Sequence, residues 1–386
     1  MEGGFTLENL MGKLSKIKAE KKISSRQLAK EIGTSKTTID NGLQCKTEEF
    51  KFEVFLKLVQ AICDNLEEQR EIIHEYILLC KTPLNVQKAL CYCQAMGEYK
   101  VITDIIEKHA DTKGLKKYIT VYKIQNKRNQ NIARGQQLLD EMYTKDFSSD
   151  TVCQAALNIL YMEAMYDKQN YNAVIPYADR TNVILKEVKQ EYVKRCMQMK
   201  YKERLAYIYL MRNDLDRCRN TCYEILDSEL DISIIKATAW CCLGESFTFE
   251  CPSTAEKYIK KAISLCESIQ VPQKTQKYLA FHTTLAHLYI ENGINLDEIR
   301  FDLIHSSEKA FFECMHGDWE KGIKLYEDLR KDGKKFTAFQ QYSFSKVNND
   351  IIGLKESLES FELTGNIFYS QYVKKDLLKE EVKSSE

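Results

Sequence analysis

Residues that interrupt helices are scarce in this chain. It has only 15 glycines and 4 prolines among 386 residues. Folds rich in β-turns and flexible linkers need many such residues, so their scarcity favours helices over most of the chain. A chain this long exceeds one small core, but a repeat array can grow because each repeat contacts only its neighbours. The sequence therefore predicts an all-α protein with a repeat architecture.

The N-terminal segment has the spacing of a helix-turn-helix. Apolar residues predict a first helix over 7–22, a second over 25–32 and a third over 36–43. Gly33 can end the second helix in a left-handed conformation, and Ser35 can cap the third. Two helices joined by a tight glycine turn are the unit that places its second helix in the DNA major groove.

One position departs from the helix-turn-helix pattern. Gly42 stands where the third helix usually carries a second apolar anchor, after Ile39. We expect Leu43 to supply this anchor from the next position, and we expect the recognition helix to be short.

Basic charge is concentrated in the same segment. The chain as a whole has a formal net charge of zero, yet residues 13–46 carry an excess of six positive charges. This is the pattern expected of a nucleic-acid-binding head on a neutral body, although a solvated helix face or a hairpin that touches no DNA would also fit. The predicted DNA-contacting residues are Arg26, Lys30, Ser35, Lys36, Thr37, Thr38, Asn41 and Lys46.

Beyond residue 82, small and aromatic residues recur as in tetratricopeptide repeats. In the strongest repeat, a first helix carries Trp240, Gly244 and Phe247, and a second carries Ala255 and Ile259. Weaker repeats follow the same pattern in segments 161–177, 200–226, 278–289 and 310–326. We therefore predict a helix-turn-helix head over 1–82 and a tetratricopeptide-like, right-handed superhelical solenoid over 83–365.

The first helices of such a solenoid line a concave groove. Counting from the small residue of each repeat gives mainly polar groove positions, which suit the amides and termini of an extended peptide. A merely solvated inner wall is the alternative at each position. The predicted groove residues are Lys200, Glu203, Tyr207, Thr238, Glu245, Thr248, Thr283 and His287.

The C-terminal segment 366–386 has one more strongly apolar stretch, followed by a charged tail. A terminal helix must cap the array or pair with a second copy. Its apolar surface exceeds what a cap needs, so we expect a homodimer here. The predicted dimerisation residues are Phe368, Tyr372, Leu377 and Leu378.

Motifs for catalysis and metal binding are not evident. His282 and His287 are five residues apart, the wrong step for two ligands on one helix face, and no HExxH, GxSxG or glycine-rich phosphate loop occurs. The 14 scattered cysteines are expected to be reduced, buried thiols. We predict no catalytic residue, no metal and no cofactor. Without a signal peptide or an apolar run of membrane-spanning length, we expect a cytoplasmic protein.

The order of these parts resembles the peptide-sensing regulators of Gram-positive bacteria of the PlcR and NprR type. Within that group, the chain is most similar to the arbitrium receptors of temperate Bacillus phages, the AimR family. The resemblance covers nearly the full length, and its most suggestive segment is Ala239–Glu250, AWCCLGESFTFE, with the helix 255–266 that follows.

The resemblance implies a homodimer whose heads bind two half-sites of double-stranded operator DNA. It also implies that a signalling peptide of about six residues binds the groove and stops DNA binding. The protein would thereby control the lysis–lysogeny decision in the cytoplasm of an infected or lysogenic bacterium. Where the family often has asparagine, this chain has Glu245, which predicts a preference for a more basic peptide or a free amino terminus. Further groove candidates by position are Lys236, Tyr342 and Asn348.

Two other readings remain open at this point. A Rap-type helical-repeat protein would act on a response regulator by protein contact and would not bind DNA. A passive scaffold would bind a folded partner without any dependence on peptide or DNA. An N-terminal helical bundle, in place of a helix-turn-helix, would be typical of the Rap class.

Overall fold

A computed structural model describes residues 6–145, 150–267, 276–333 and 335–383, with the side chains of 332 and 383 excepted. These residues form 21 α-helices and no strand, which confirms the all-α prediction. Contacts divide the chain into two compact units. The first comprises Met1–Gln94, Glu98–Asn126 and Lys189–Arg195, and the second comprises Ala95–Gly97, Lys127–Val188 and Cys196–Glu386. Among the described helices, none is both long enough and apolar enough to cross a bilayer.

The first unit extends past the predicted head of residues 1–82 and contains most of eight helices. These are α1 (Leu7–Glu20), α2 (Ser25–Ile32), α3 (Lys36–Leu43), α4 (Phe52–Ile62), α5 (Leu66–Leu79), α6 (Pro83–Met96), α7 (Tyr99–Lys108) and α8 (Lys116–Asn129).

The helix-turn-helix forms as its sequence predicts. Leu28 and Ile32 of α2 and Ile39 of α3 are buried. Gly33 ends α2 with φ 78°, in the left-handed region that suits glycine. The Ser35 hydroxyl accepts a hydrogen bond from a backbone N–H in the first turn of α3. Local capping thus sets both ends of the turn.

A residue outside the helix-turn-helix explains why position 42 is glycine. A Cβ at Gly42 would overlap the ring of Phe50, and that ring is buried. Leu43, which is expected to replace the missing anchor, is half-buried. Phe50 supplies the apolar contact from the loop that precedes α4, and it needs glycine opposite it.

The second unit contains the helical array, α9–α21. Its helices are α9 (Gln136–Tyr143), α10 (Thr151–Asp167), α11 (Val174–Glu187), α12 (Glu191–Met211, whose first turn belongs to the first unit), α13 (Leu215–Leu226), α14 (Ser233–Glu245), α15 (Pro252–Glu267), α16 (Gln276–Asn292), α17 (Ser306–His316), α18 (Trp319–Leu329), α19 (Ala338–Val347), α20 (Ile351–Thr364) and α21 (Ser370–Lys383).

Small residues hold successive helices of the array close together, as the repeat pattern predicts. A Cβ on Gly244 of α14 would lie 2.8 Å from the Ala255 carbonyl oxygen and 2.8 Å from Ile259 Cγ1, both on α15. In the same way, a Cβ on Gly322 of α18 would lie 2.9 Å from the Ala310 carbonyl oxygen of α17. The array is therefore tetratricopeptide-like at these pairs.

Phe247 lies elsewhere than the repeat pattern places it. The predicted first helix of the strongest repeat includes Phe247, but α14 ends at Glu245 and Ser246 is its C-cap. The Phe247 ring instead receives the guanidinium of Arg219, whose Cζ lies 3.9 Å from the ring centroid. A turn between the helices therefore carries this aromatic residue.

Candidate recognition helix and ligand cavity

The start of α3 presents short polar side chains to solvent. All the predicted DNA-contacting residues are exposed except Asn41, which is half-buried. Lys36 Nζ lies 3.6 Å from the Asp40 carboxylate, and a hydrogen bond from Ser25 lowers the pKa of Asp40. Hydroxyls, an amide and basic groups on one short segment can hold phosphates and read base edges.

Two of these side chains also build the helix. Ser35 Oγ accepts a hydrogen bond from the Thr38 backbone N–H at 3.0 Å, and the two hydroxyls lie 2.8 Å apart. Ser35 and Thr38 thus fix the N-terminal turn of α3. Lys36 and Thr37, between them, take no part in this cap.

The second unit contains a cavity of about 800 Å³. Aromatic and aliphatic side chains form much of its wall, which also contains three acidic residues, Glu245, Asp302 and Glu308, and one lysine, Lys309. Ligand sites of this size usually combine an apolar wall with a few well-placed polar groups. The aromatic wall residues are Tyr166, Tyr171, Phe339, Tyr369 and Tyr372.

Glu245, at the end of α14, is held by donors from three directions. Tyr207 donates to its carboxylate at 2.9 Å, the Cys241 thiol donates at 3.3 Å, and Tyr369 donates from beyond α20. Burial still raises the pKa of Glu245. The three donors fix its orientation in the cavity wall.

Glu308, in the first turn of α17, has a side chain that is 14% exposed and a carboxyl that lies beside two histidines. Ser307 Oγ donates to it at 2.6 Å, while the Nδ1 atoms of His287 and His305 lie 4.0 and 3.9 Å away. Burial raises the pKa of Glu308 to about 7 and lowers the pKa of His287 and of His305. In the part of the chain that the structure describes, no lysine or arginine pairs with it. The wall therefore offers a carboxylate that a ligand cation can stabilise.

The family model described as AimR transcriptional regulator-like matches residues 69–379. The chain belongs to this family. Helices α1–α4 precede the matched region, so the helix-turn-helix rests on its own residues. Most of the remainder, including the whole cavity wall, lies within the AimR-like match.

A curated relative and two solved structures resemble this AimR-like chain. An uncharacterised protein of Bacillus anthracis, pXO2-35, is 30% identical over 257 residues, which cover 64% of this chain and 93% of that protein. A structure of phAimR with ligand has a TM-score of 0.72 at 16% identity, over 84% of this chain and 96% of that chain. A selenomethionine structure of phAimR has a TM-score of 0.61 at 16% identity, over 95% of this chain and 96% of that chain. At this identity the structures show the AimR fold.

Four of the predicted groove residues lie in the cavity wall of the AimR-like array. They are Glu245, Thr248, Thr283 and His287. Tyr207 does not line the cavity itself, but its hydroxyl donates a hydrogen bond to Glu245, which does. The structure therefore brings these five together.

The other predicted groove residues lie elsewhere, in intramolecular contacts. Lys236 Nζ donates to the Ser228 carbonyl oxygen at 2.6 Å. The Tyr342 hydroxyl lies 2.9 Å from a carboxylate oxygen of Glu291 and 2.9 Å from one of Asp376, and its single proton can be donated to either. Asn348 bonds to a carbonyl of its own helix. The remaining three, Lys200, Glu203 and Thr238, belong to a buried ion network.

In that network, opposite charges on α10, α12 and α16 neutralise one another. Lys200 Nζ lies 2.8 Å from Glu163 and 2.9 Å from Glu203, and Lys277 contacts both Glu203 and Thr238. Although burial opposes ionisation, Lys200 and Lys277 lower the pKa of Glu203 to about 2. Polar groups at these positions are therefore engaged with each other inside the array.

Glu308 is one of the wall residues that sequence reasoning missed. Its position follows no repeat register, because it begins a helix after the irregular segment 293–305. The local signal was an acidic residue in a first helical turn, which is common because the helix dipole favours it. Only the fold places it beside His287.

The C-terminal segment packs against the rest of its own protomer more extensively than its sequence suggests. Phe368 and Tyr372 are buried, and their ring centroids lie 5.0 and 4.6 Å from that of Phe249. Leu377 is half-buried, whereas Leu378 is 62% exposed. Two of the predicted dimerisation residues, Phe368 and Tyr372, are thus core residues of the protomer, because their rings pack against Phe249 of the same chain. The helix also runs to Lys383, into the segment expected to be a tail.

Proposed function

We propose that this chain is a peptide-responsive, DNA-binding transcriptional regulator of the phage lysis–lysogeny decision, acting in the cytoplasm of the bacterial host. The cavity carries the proposal, since it lies in the AimR-like part of the chain and its Glu308 forms no ion pair with a lysine or arginine among the described residues. The exposed start of α3 supports the DNA-binding half.

The ligand is a short peptide of about six residues that carries a positive charge. The aromatic wall contacts its apolar side chains, and Glu308 receives an arginine, a lysine or the terminal amine. Glu245, at the position where the family often has asparagine, adds a second carboxyl. Because Glu245 is buried and the Glu308 side chain is only 14% exposed, a cation that neutralises them gains more than it would at a solvated surface.

DNA is read by α3 of each protomer in a homodimer on two half-sites. A single short recognition helix with modest charge binds weakly, so pairing of heads is needed for specificity. Leu378, which is exposed on α21, is the remaining candidate for the dimer contact among the residues predicted from sequence.

Peptide binding switches DNA binding off. A peptide that prefers one arrangement of the array needs a coupling of roughly 1–3 kcal/mol, which changes DNA affinity about 5–150-fold. Small rotations at successive helix pairs add up along a repeat array and supply such a coupling.

Fluorescence anisotropy with DNA from upstream of the gene tests both halves of the proposal. We expect binding that weakens as salt rises and that is lost when an arginine-containing hexapeptide encoded beside the gene is added. A matched hexapeptide with glutamine in place of arginine is the control. Failure to bind this DNA, together with binding to a response regulator, would favour the Rap-type reading. Binding unaffected by every peptide would remove the switch.

The dimer has its own test. Leu378→Glu places a charge on an exposed apolar position of α21, and light scattering should then report a monomer. Leu66→Glu, at a residue of α5 that is 77% exposed, is the matched control and should leave the mass unchanged. If Leu378→Glu remains a dimer, the contact lies elsewhere.

A further inference from the structure

Three cysteine thiols meet inside the array. Cys218 and Cys222 lie one turn apart on α13, and Cys242 faces them from α14. Their three Sγ atoms all lie within 4.8 Å of one another, and those of Cys218 and Cys242 are 3.6 Å apart. All three residues are fully buried.

The three sulfurs form a compact donor set contributed by two helices. All of them are within reach of one ion, and none is exposed to solvent. Cysteine ligates metals as the thiolate, so an ion held here would displace protons from these thiols.

The donor set decides which metal fits. Sulfur ligands select soft ions, mainly Cu(I), Zn(II) and iron–sulfur clusters. Structural zinc takes four protein ligands and iron–sulfur clusters take four cysteines, whereas this group has three sulfurs. We propose that Cys218, Cys222 and Cys242 form a binding site for a cuprous ion that links α13 to α14.

Charge balance is compatible with the buried position. Cu(I) brings one positive charge. When two of the three cysteines bind as thiolates and the third as a neutral thiol, two protons are released and the occupied site carries one negative charge. The positive Arg219 follows Cys218 on α13, and its guanidinium is paired with Glu250 at 2.8 Å. No oxidant is needed, because copper enters and remains as Cu(I).

The site would stiffen the helix that carries part of the cavity wall. Cys242 lies three residues before Glu245, and its carbonyl accepts the backbone N–H of Ser246. Copper would therefore join two helices that otherwise pack through side chains alone. Binding to the folded state only would raise Tm.

Anaerobic titration of the full chain with Cu(I), in competition with a cuprous chelator, tests the proposal. We expect one ion per chain to resist the chelator, with a rise in Tm. Cys222→Ser should weaken retention by more than the roughly tenfold typical of outer-shell changes. Cys63→Ser, at a buried thiol of the first unit, is the matched control and should bind as the wild type does.

X-ray absorption of the wild-type copper complex keeps the test independent of variant folding. Two or three sulfur neighbours, with no nitrogen or oxygen, support the site. Nitrogen or oxygen ligands, equal copper retention by Cys222→Ser and wild type, or preferential retention of Zn(II) would each overturn it.

Discussion

The start of α3 and the cavity of the array differ in how far apart their residues lie along the chain. The predicted DNA surface comes from residues 26–46, within one local motif. Gly33 ends its second helix and Ser35 caps its third. The cavity wall comes from residues 166–372 and includes positions on helices and irregular segments. Local capping can specify the first kind of site, while only the stacking of many helices can assemble the second.

Their glycines show the same contrast. Gly42 leaves room for one ring, that of Phe50, at the edge of the helix-turn-helix, whereas Gly244 lets the backbone of α15 approach α14. Gly12, in the middle of α1, has no neighbouring atom within 4 Å of an added Cβ. A side chain can move aside, but a packed helix backbone moves as a unit.

The largest effect is expected in the array. Gly244→Val should lower the free energy of unfolding by about 3 kcal/mol, because overpacking here meets backbone atoms. Urea denaturation followed by circular dichroism measures this change. A cost below that of Gly42→Ala would show that the array adapts as easily as the head.

Next in size is the DNA surface. The double variant Lys36→Ala, Thr37→Ala should weaken operator binding by about 2 kcal/mol, roughly 30-fold, since it removes two exposed candidates and leaves the Ser35 cap intact. Anisotropy at fixed salt measures this. Lys16→Ala, an exposed lysine of α1, removes a similar charge and should change affinity much less. Equal losses would mean that charge alone, and not α3, determines binding.

The affinity of the cavity for peptide should depend on pH, because Glu308 titrates near neutral pH. With a pKa of about 7, Glu308 is mostly protonated at about pH 6 and mostly ionised at about pH 8, so affinity for an arginine-containing peptide should rise about tenfold between them. Burial lowers the pKa of His287 and of His305, so both lose their proton at a lower pH than an exposed histidine does. Calorimetry should find that the rise disappears in Glu308→Gln. A rise that persists in that variant would assign it to another group.

The same carboxyl affects stability with the opposite sign. Its folded-state pKa is raised above the usual value of 4.5, so the contribution of the protonated form is complete at low pH. That contribution is lost as the pH rises through about 7. The peptide-free protein should therefore lose stability as the pH rises from 4.5 to about 7, and Glu308→Gln should lose less.

The smallest effect is expected at Gly12. Gly12→Ala should raise stability by about 0.5–1 kcal/mol, since it removes backbone freedom from the unfolded chain at an unobstructed helix position. Thermal unfolding measures it. A loss of stability would mean that α1 has a neighbour at this position in solution.

The sequence predicts the features that local residues determine, and it does not predict those that depend on contacts between distant segments. Gly33, Ser35 and the apolar spacing predicted α2 and α3 to the residue, because caps and periodicity are local. Gly244 predicted a close helix pair for the same reason. The role of Glu308, the burial of Phe368 and the meeting of Cys242 with Cys218 depend on contacts between distant segments, and no local pattern encodes them.

The double role of Ser35 limits how this head can evolve. Its hydroxyl caps α3, and an N-cap of this kind is worth about 1 kcal/mol, yet it also lies on the surface assigned to DNA. A lineage that changes its operator preference at Ser35 must weaken the fold of the same helix, whereas Lys36 and Thr37 can vary without that cost. Related heads with new operators should therefore diverge first at these two positions and keep a capping residue before them.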